Sequence, residues 1–315
     1  MLGDVEAIPA MLTVIDTDPG IDDALALLLA WGSPGVRVDA LTTVAGNVPL
    51  AAAVTNALRL MALRRPTPAP RISAGAEQPL VRPLWTAVKY HGADGLGDLP
   101  GWPPVDVDLV PRDAVPLLLD AARRYGPDLT LIALGPLTNV ALALRADAAA
   151  MRRIARLVVM GGAVDVPGNV TGTAEFNIYV DPEAAREVLD AGLTVDVVPL
   201  DATRQATITR AELEQALGRT PGPLADRIAA FTERGFRVDL GRGSPGMVLH
   251  DPLAVGAAID PTLVGWERVR LAVGDGGETR RASGDPNCRI ARTVDLPRFR
   301  TMLLDRLCPA DRGAS

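Results

Sequence analysis

Apolar residues fall along the chain in short, almost unbroken runs. Each run ends in a small or polar cluster and gives way to helical spacing. LTVID (12–16) leads through a DPG turn into DDALALLLAWG, and VDALTTVAGN (38–47) leads into VPLAAAVTNALRLMAL. LTLIALG (129–135) passes through PLTN into VALALRADAAAM. RLVVMGGA (156–163) comes next, and TVDVVPLDAT (194–203) follows the helix-like DPEAAREVLDAG. Strands buried on both faces read in this way, continuous rather than alternating.

Strands that alternate with helical segments predict βαβ units. The expected fold class is therefore α/β: a doubly wound, mostly parallel sheet with helices on both faces. Capping signals mark boundaries. Asp181-Pro182 pairs an N-cap with proline at the first helical position, and Thr209 with Glu212 fits a capping box. Asn139, with Thr138 beside it, reads as another N-cap. No internal repeat or low-complexity linker interrupts the pattern, so a single domain over 1–315 is expected. Within it, the glycine- and helix-rich stretch 204–250 is expected to cover the sheet edge as a lid. In open α/β sheets ligands bind beyond the carboxyl ends of the strands. DTDPGIDD, AGN, LGPLTN and LDAT all fall at such ends.

Composition narrows the function classes. A chain of 315 residues, 48% hydrophobic and 22% charged, can bury a large core without disulfides or structural metals. Its two cysteines, Cys288 and Cys308, lack metal-ligand spacing and suit a reduced, cytoplasmic compartment. MLGDVEAIPA has no basic leader region, and no apolar run approaches membrane-spanning length. The net charge is −6, and its cations are dispersed arginines apart from Lys89, which argues against a nucleic-acid surface. At 3% aromatics, base-stacking platforms are not expected either.

The acidic stretch DTDPGIDD changes the picture most. Asp16, Asp18, Asp22 and Asp23 crowd the end of a strand. Two carboxylates ~5 Å apart repel by roughly 3 kcal/mol at an effective dielectric of 20. A bound cation relieves that repulsion, and an all-oxygen ligand set suits a hard ion, Ca²⁺ in particular. The absence of a nearby His or Cys counts against zinc. The plainer alternative makes Asp16 and Asp18 turn formers and leaves Asp22 and Asp23 to stabilise a helix N-terminus.

DTDPGIDDALAL resembles the N-terminal signature of the nucleoside hydrolases, the inosine–uridine-type N-ribohydrolases. TTVAGN (42–47), ALGPLTNVA (133–141), VVMGGA (158–163), GNVTGTAEFNIYVDPEAA (168–185) and LHDP (249–252) resemble that family's later blocks in the same order. The resemblance covers most of the chain. It implies a Ca²⁺ held by Asp18, Asp23, Asp251 and the backbone carbonyl of Leu134. Asp18 would also be the general base for a metal-bound water, and Asp16 would steady the loop. Asp22, Asn47, Asn169, Glu175 and Asn177 would hold the ribose hydroxyls, with Met160 packed near the sugar. Relatives are commonly homodimers or homotetramers, so self-association is expected, with a small nucleoside as substrate and no nucleic-acid or membrane partner.

The chain has two histidines, His91 in KYHGADGLG and His250 in VLHDP. The resemblance places both beside the nucleobase as proton donor or relay, as in the pyrimidine-preferring or broad-specificity branch. The glycine-rich loop 92–97 is expected to form a flexible flap. One departure stands out. Relatives with this pair carry tyrosines on the helix before HDP, whereas this chain has Phe231 and Phe236, which can stack on a base but donate nothing. The loop GGAVDVPGN is also one residue longer than in many relatives, which bears on Asn169. Two competing functions are a haloacid-dehalogenase-like phosphatase, suggested by Asp16-x-Asp18, and a non-catalytic nucleoside- or sugar-binding protein.

Overall fold

A computed structural model describes residues 11–307. The leader reading of the first ten residues and the reading of Cys308 lie outside the described residues. The strands, in chain order, are β1 (Met11–Thr17), β2 (Val36–Thr43), β3 (Arg71–Ala74), β4 (Leu129–Ala133), β5 (Arg156–Met160), β6 (Val195–Val198), β7 (Thr207–Ile208), β8 (Met247–Val248), β9 (Val264–Val269), β10 (Leu271–Val273), β11 (Thr279–Arg281) and β12 (Cys288–Val294). Eight of them form one sheet in the order β3-β2-β1-β4-β5-β6-β12-β9. Every pair is parallel except β12 with β9 at one edge.

The strand faces explain the unbroken apolar runs. Ile15, Leu41, Ile132, Val158 and Val198 join one core, with the helices Ile21–Trp31, His250–Ile259 and Leu296–Leu307. Their chain neighbours Val14, Ala40, Leu131, Leu157 and Val197 join a second core on the opposite face, with the helices Ala114–Tyr125, Thr138–Met151 and Pro182–Leu189. Successive side chains alternate between the faces, so a strand covered on both sides is apolar at most positions, and its buried polar residues, such as Thr13 and Asp196, are hydrogen-bonded.

The topology fixes the site. The chain moves outward from β1 to β2 and β3, then returns to lay β4 on the other side of β1. This reversal opens a crevice at the carboxyl ends of β1 and β4, where a doubly wound sheet binds its ligands. Asp16 lies opposite Thr42 of β2 and Ala133 of β4.

All five expected strands form. β3, β9 and β12 were not anticipated. VGWERV and CRIARTV carry charged residues among their apolar ones, because β9 is an edge strand and β12 its neighbour. Both expected caps form: Asp181 accepts from Ala184 N–H, and Thr209 and Glu212 exchange a capping box. The 204–250 stretch contains the β7–β8 pair and the helices Arg210–Leu217 and Pro223–Gly241. The longer of these packs on β8 and on the helices Arg210–Leu217, Val88–His91, Ile21–Trp31 and Leu50–Arg64. Among the described residues no helix is long and apolar enough to cross a membrane.

Candidate active site

β1 delivers the acidic loop to the crevice, and Gly20 starts the helix that follows. Asp23 caps its own helix, with Oδ2 accepting from Gly20 N–H at 2.9 Å. Thr17 Oγ1 donates to Asp23 Oδ1 at 2.5 Å, and Asn47 Nδ2 donates to Asp23 Oδ2 at 2.9 Å. The plainer capping reading therefore holds for Asp23, but it does not account for its neighbours. Asp251, in the first turn of the helix His250–Ile259, is buried with Asp22 and Asp23. One oxygen from each of the three lies within 4.8 Å of the others.

Asp18 is enclosed on both sides. Oδ2 accepts from Asn47 N–H at 2.6 Å, while Oδ1 is buried with no partner. A Cβ on Gly135 would stand 2.6 Å from Asp18 Oδ1, and one on Gly46 would overlap Oδ2. Both glycines are therefore needed for close approach. Gly135→Ala should displace this carboxylate and lower turnover at the crevice by about tenfold or more, on the order of the cost of misplacing a group in a site. A steady-state assay of the soluble variant checks it, and unchanged turnover would remove the constraint.

Electrostatics point the same way. Burial, then the Asp23 charge, pushes Asp18 well above the carboxylate range. The same causes push Asp22 up to about 8. Asp251 is raised by burial and by Asp22, Asp23 and Asp18, and Asp23 is raised by burial. Burial and mutual repulsion favour the protonated forms of these acids. A hard divalent cation substitutes for those protons, and the all-oxygen set with an unpartnered Asp18 Oδ1 fits one. The cluster within ligand spacing comprises Asp22, Asp23 and Asp251, and Asp18 feels the charges of Asp23 and Asp22. The Leu134 carbonyl accepts from Asn177 Nδ2 at 2.6 Å and keeps a second lone pair.

Asp16 sits just beneath. Its Oδ1 accepts from Thr42 Oγ1 at 2.5 Å and from Asn139 Nδ2 at 2.7 Å, and Oδ2 is buried without a partner. Burial pushes it up to about 6. Asn139 is not the N-cap expected of it. The helix Thr138–Met151 is preceded by Leu137, and the Asn139 side chain spans Asp16, the Thr43 carbonyl and Ala76 N–H. Asn139→Leu leaves Ala76 N–H unpaired and takes one donor each from Asp16, which keeps Thr42, and from the Thr43 carbonyl, which keeps Gly75 N–H, and should destabilise the protein by roughly 1–3 kcal/mol. A denaturant titration measures it.

Of the expected ribose residues, four are buried around the crevice. Asn47 links Asp18 and Asp23, as above. Asn177 Nδ2 also meets Met160 O at 3.1 Å and Met160 Sδ at 3.4 Å. Glu175 caps the helix Phe176–Val180, accepting from Asn177, Ile178 and Gly162 N–H. Asn169 is exposed on the longer loop, and its Oδ1 accepts from Phe176 N–H at 2.9 Å. Asp201 of the LDAT cluster anchors that loop by accepting from Val164 and Asp165 N–H.

Both histidines lie near this centre. His91 is buried, and its Nδ1 accepts from Ile21 N–H at 3.0 Å, so Nε2 carries the proton in the neutral ring. Burial, with help from His250 and Arg234, lowers it to about 3. His250 Nδ1 meets Thr203 Oγ1 at 2.7 Å, and burial with Arg204 and Arg242 lowers it to about 4. Phe231 and Phe236 are 0% and 2% exposed in the hydrophobic core, not base-stacking platforms. Tyr90, which was not anticipated, packs edge-on against His91 with ring centroids 4.7 Å apart. Its hydroxyl donates to Asp239 Oδ2 at 2.7 Å. The 92–97 loop is tied down: Leu96 and Asp98 N–H both donate to Asp94 Oδ1, and Asn56 Nδ2 donates to the Asp94 carbonyl.

Residues 13–301 match the family described as inosine-uridine preferring nucleoside hydrolase. The chain belongs to that family. It is 35% identical over 307 residues to the inosine-uridine preferring nucleoside hydrolase of Leishmania major, covering 93% of this chain and 96% of that one. It is also 35% identical over 312 residues to the pyrimidine-specific ribonucleoside hydrolase RihA of Salmonella agona, covering 95% and 98%. A solved plant nucleoside hydrolase superposes with a TM-score of 0.88 at 33% identity, covering 96% of this chain and 100% of that one. The purine-preferring ribonucleoside hydrolase from Gardnerella vaginalis gives 0.86 at 30%, covering 94% and 98%. This nucleoside hydrolase is accordingly an enzyme acting on ribonucleosides, with a buried acidic cluster able to hold a metal ion. The phosphatase reading falls to the family match.

Proposed function

We propose that this enzyme hydrolyses the N-glycosidic bond of ribonucleosides to ribose and free base, with Ca²⁺ as its ion and Asp18 as the general base. The observation that carries the assignment is Asp18 Oδ1: buried, unpartnered and set at the crevice beside Asp22, Asp23 and Asp251. Asp18, Asp23, Asp251 and the Leu134 carbonyl would hold the ion. When bound, such an ion lowers the pKa of water and cancels part of the carboxylate repulsion.

The residues then divide the work. Asp18 accepts the proton of the attacking water at Oδ1, while Asn47 N–H holds Oδ2 in place. The buried carboxylates favour the positive charge that develops on the ribose ring as the bond breaks. Asp22, Asn47, Asn169, Glu175 and Asn177 supply donors and acceptors for the sugar hydroxyls, with Met160 against the ring. His91 and His250, both neutral at pH 7, offer N–H groups to the departing base. A neutral imidazole stabilises a developing negative charge by hydrogen bonding. This favours uridine and inosine together, a broad or pyrimidine-preferring specificity. We also propose a single domain, a homodimer or homotetramer, and a cytoplasmic place in nucleoside salvage.

A reducing-sugar assay over uridine, cytidine, inosine and adenosine tests the reading, and tight binding without ribose release would replace it with a binding protein. His250→Ala should slow natural nucleosides by roughly a hundredfold, the usual scale of a positioned proton-handling group. Nitrophenyl riboside, whose leaving group needs no such help, should be affected far less. Equal losses on both would take His250 out of this role.

A further inference from the structure

The two histidines sit on separate segments, and one side chain ties both down. Asp239, on the helix Pro223–Gly241, is 5% exposed. Its Oδ2 accepts from the Tyr90 hydroxyl at 2.7 Å and from Val248 N–H at 2.9 Å. Tyr90 immediately precedes His91 and packs edge-on against its ring. Val248 stands two residues before His250. The same carboxylate oxygen thus fixes the approach to each histidine, and a charged acceptor makes both bonds stronger than neutral ones.

Neighbouring contacts make the arrangement one-sided. Arg234, from the same helix, donates to the carbonyls of Tyr90 (3.0 Å), Lys89 (3.2 Å) and Val88 (3.3 Å), and pairs with Asp98 at 3.1 Å. These bonds dock the backbone of the His91 segment. They leave the His91 ring to the bond from Ile21 N–H and to the edge-on packing of Tyr90, whose face is covered by the Arg242 guanidinium at 5.6 Å. Burial and the Asp239 charge hold the Tyr90 phenol well above its ordinary pKa, so it remains a donor.

We infer that Asp239 is a positioning residue that sets His91 and His250 relative to each other at the nucleobase end of the site, with Tyr90 as its link to His91. The inference rests on the reading of the histidines as leaving-group contacts. Tyr90→Phe removes one hydroxyl and keeps the ring, which makes it the clean variant. For uridine or inosine, kcat should fall about tenfold with little change in KM, as for a lost buried hydrogen bond to a charged group. Nitrophenyl riboside should stay within about twofold, because its leaving group does not call on the histidines. Asp239→Asn keeps the shape and weakens both bonds, so its loss on natural nucleosides should exceed that of Tyr90→Phe. Melting measurements accompany both variants. Should Asp239→Asn fail to fold, Tyr90→Phe still decides. An equal fall on both substrates, or a lowered melting temperature with an unchanged substrate ratio, would make the pair merely structural and overturn the inference. A wild-type enzyme that cleaves nitrophenyl riboside but no nucleoside would instead overturn the underlying reading of the site, and the inference with it.

Discussion

Asp18→Asn should reduce ribose release by on the order of a thousandfold or more, within or beyond the range set by loss of a general base. The fold should be retained. Asparagine has the shape of aspartate, and its carbonyl can still accept the 2.6 Å bond from Asn47 N–H. What it cannot do is take a proton from water. The substitution also removes one charge from a group whose members raise one another by repulsion. The cation-free variant should therefore melt no lower than the cation-free wild type. Reducing-sugar kinetics with a circular-dichroism melt separate the two effects. A soluble variant retaining more than a few per cent of turnover would contradict the base assignment.

The sequence revealed the parts of this protein that depend on short-range chemistry. The central strands were legible because burial on both faces leaves few polar positions, and the crevice was legible because each such strand ends in an acid, an Asn or a glycine. The Asp16–Asp23 loop stood out because like charges do not gather without a reason. Residues that act across long separations were hidden. Asn139 looks like a helix cap because polar residues at helix starts usually are, yet its partner Asp16 is 123 positions away. Tyr90 and Asp239 are 149 apart, and neither belongs to a local pattern. Phe231 and Phe236 could be read as stacking platforms or as core, since helical spacing is the same for both, and only packing distinguishes them. β9 and β12 were missed for the opposite reason to the central strands: β9 is an edge, and the partly exposed positions of both strands carry Arg or Glu, which erases the apolar signal.

Removal of the cation should abolish turnover and change how stability depends on pH. In the cation-free protein Asp16 is raised to about 6 and Asp22 to about 8, against an ordinary value of 3.8, and Asp18 and Asp251 are raised with them. Raised carboxyl pKa values mean that the native state binds more protons than the unfolded chain between about pH 4 and about pH 8. These carboxyls make stability fall as pH rises through that window, and they outnumber His91 and His250, whose lowered values act oppositely below about pH 6.5. A bound cation takes the place of those protons and binds better as they leave, so the cation-loaded protein should not share the decline. Chelator-treated protein should melt lower at pH 8 than at pH 5. At pH 8 the gap to protein in excess Ca²⁺ should be roughly 5 °C or more, since a ligand at a thousand times its Kd contributes about 4 kcal/mol. Differential scanning calorimetry at the two pH values reads both slopes. Identical melting with and without chelator at pH 8 would mean that the four acids are held by protons alone. Asp18 would then begin the reaction protonated, which no general base can do.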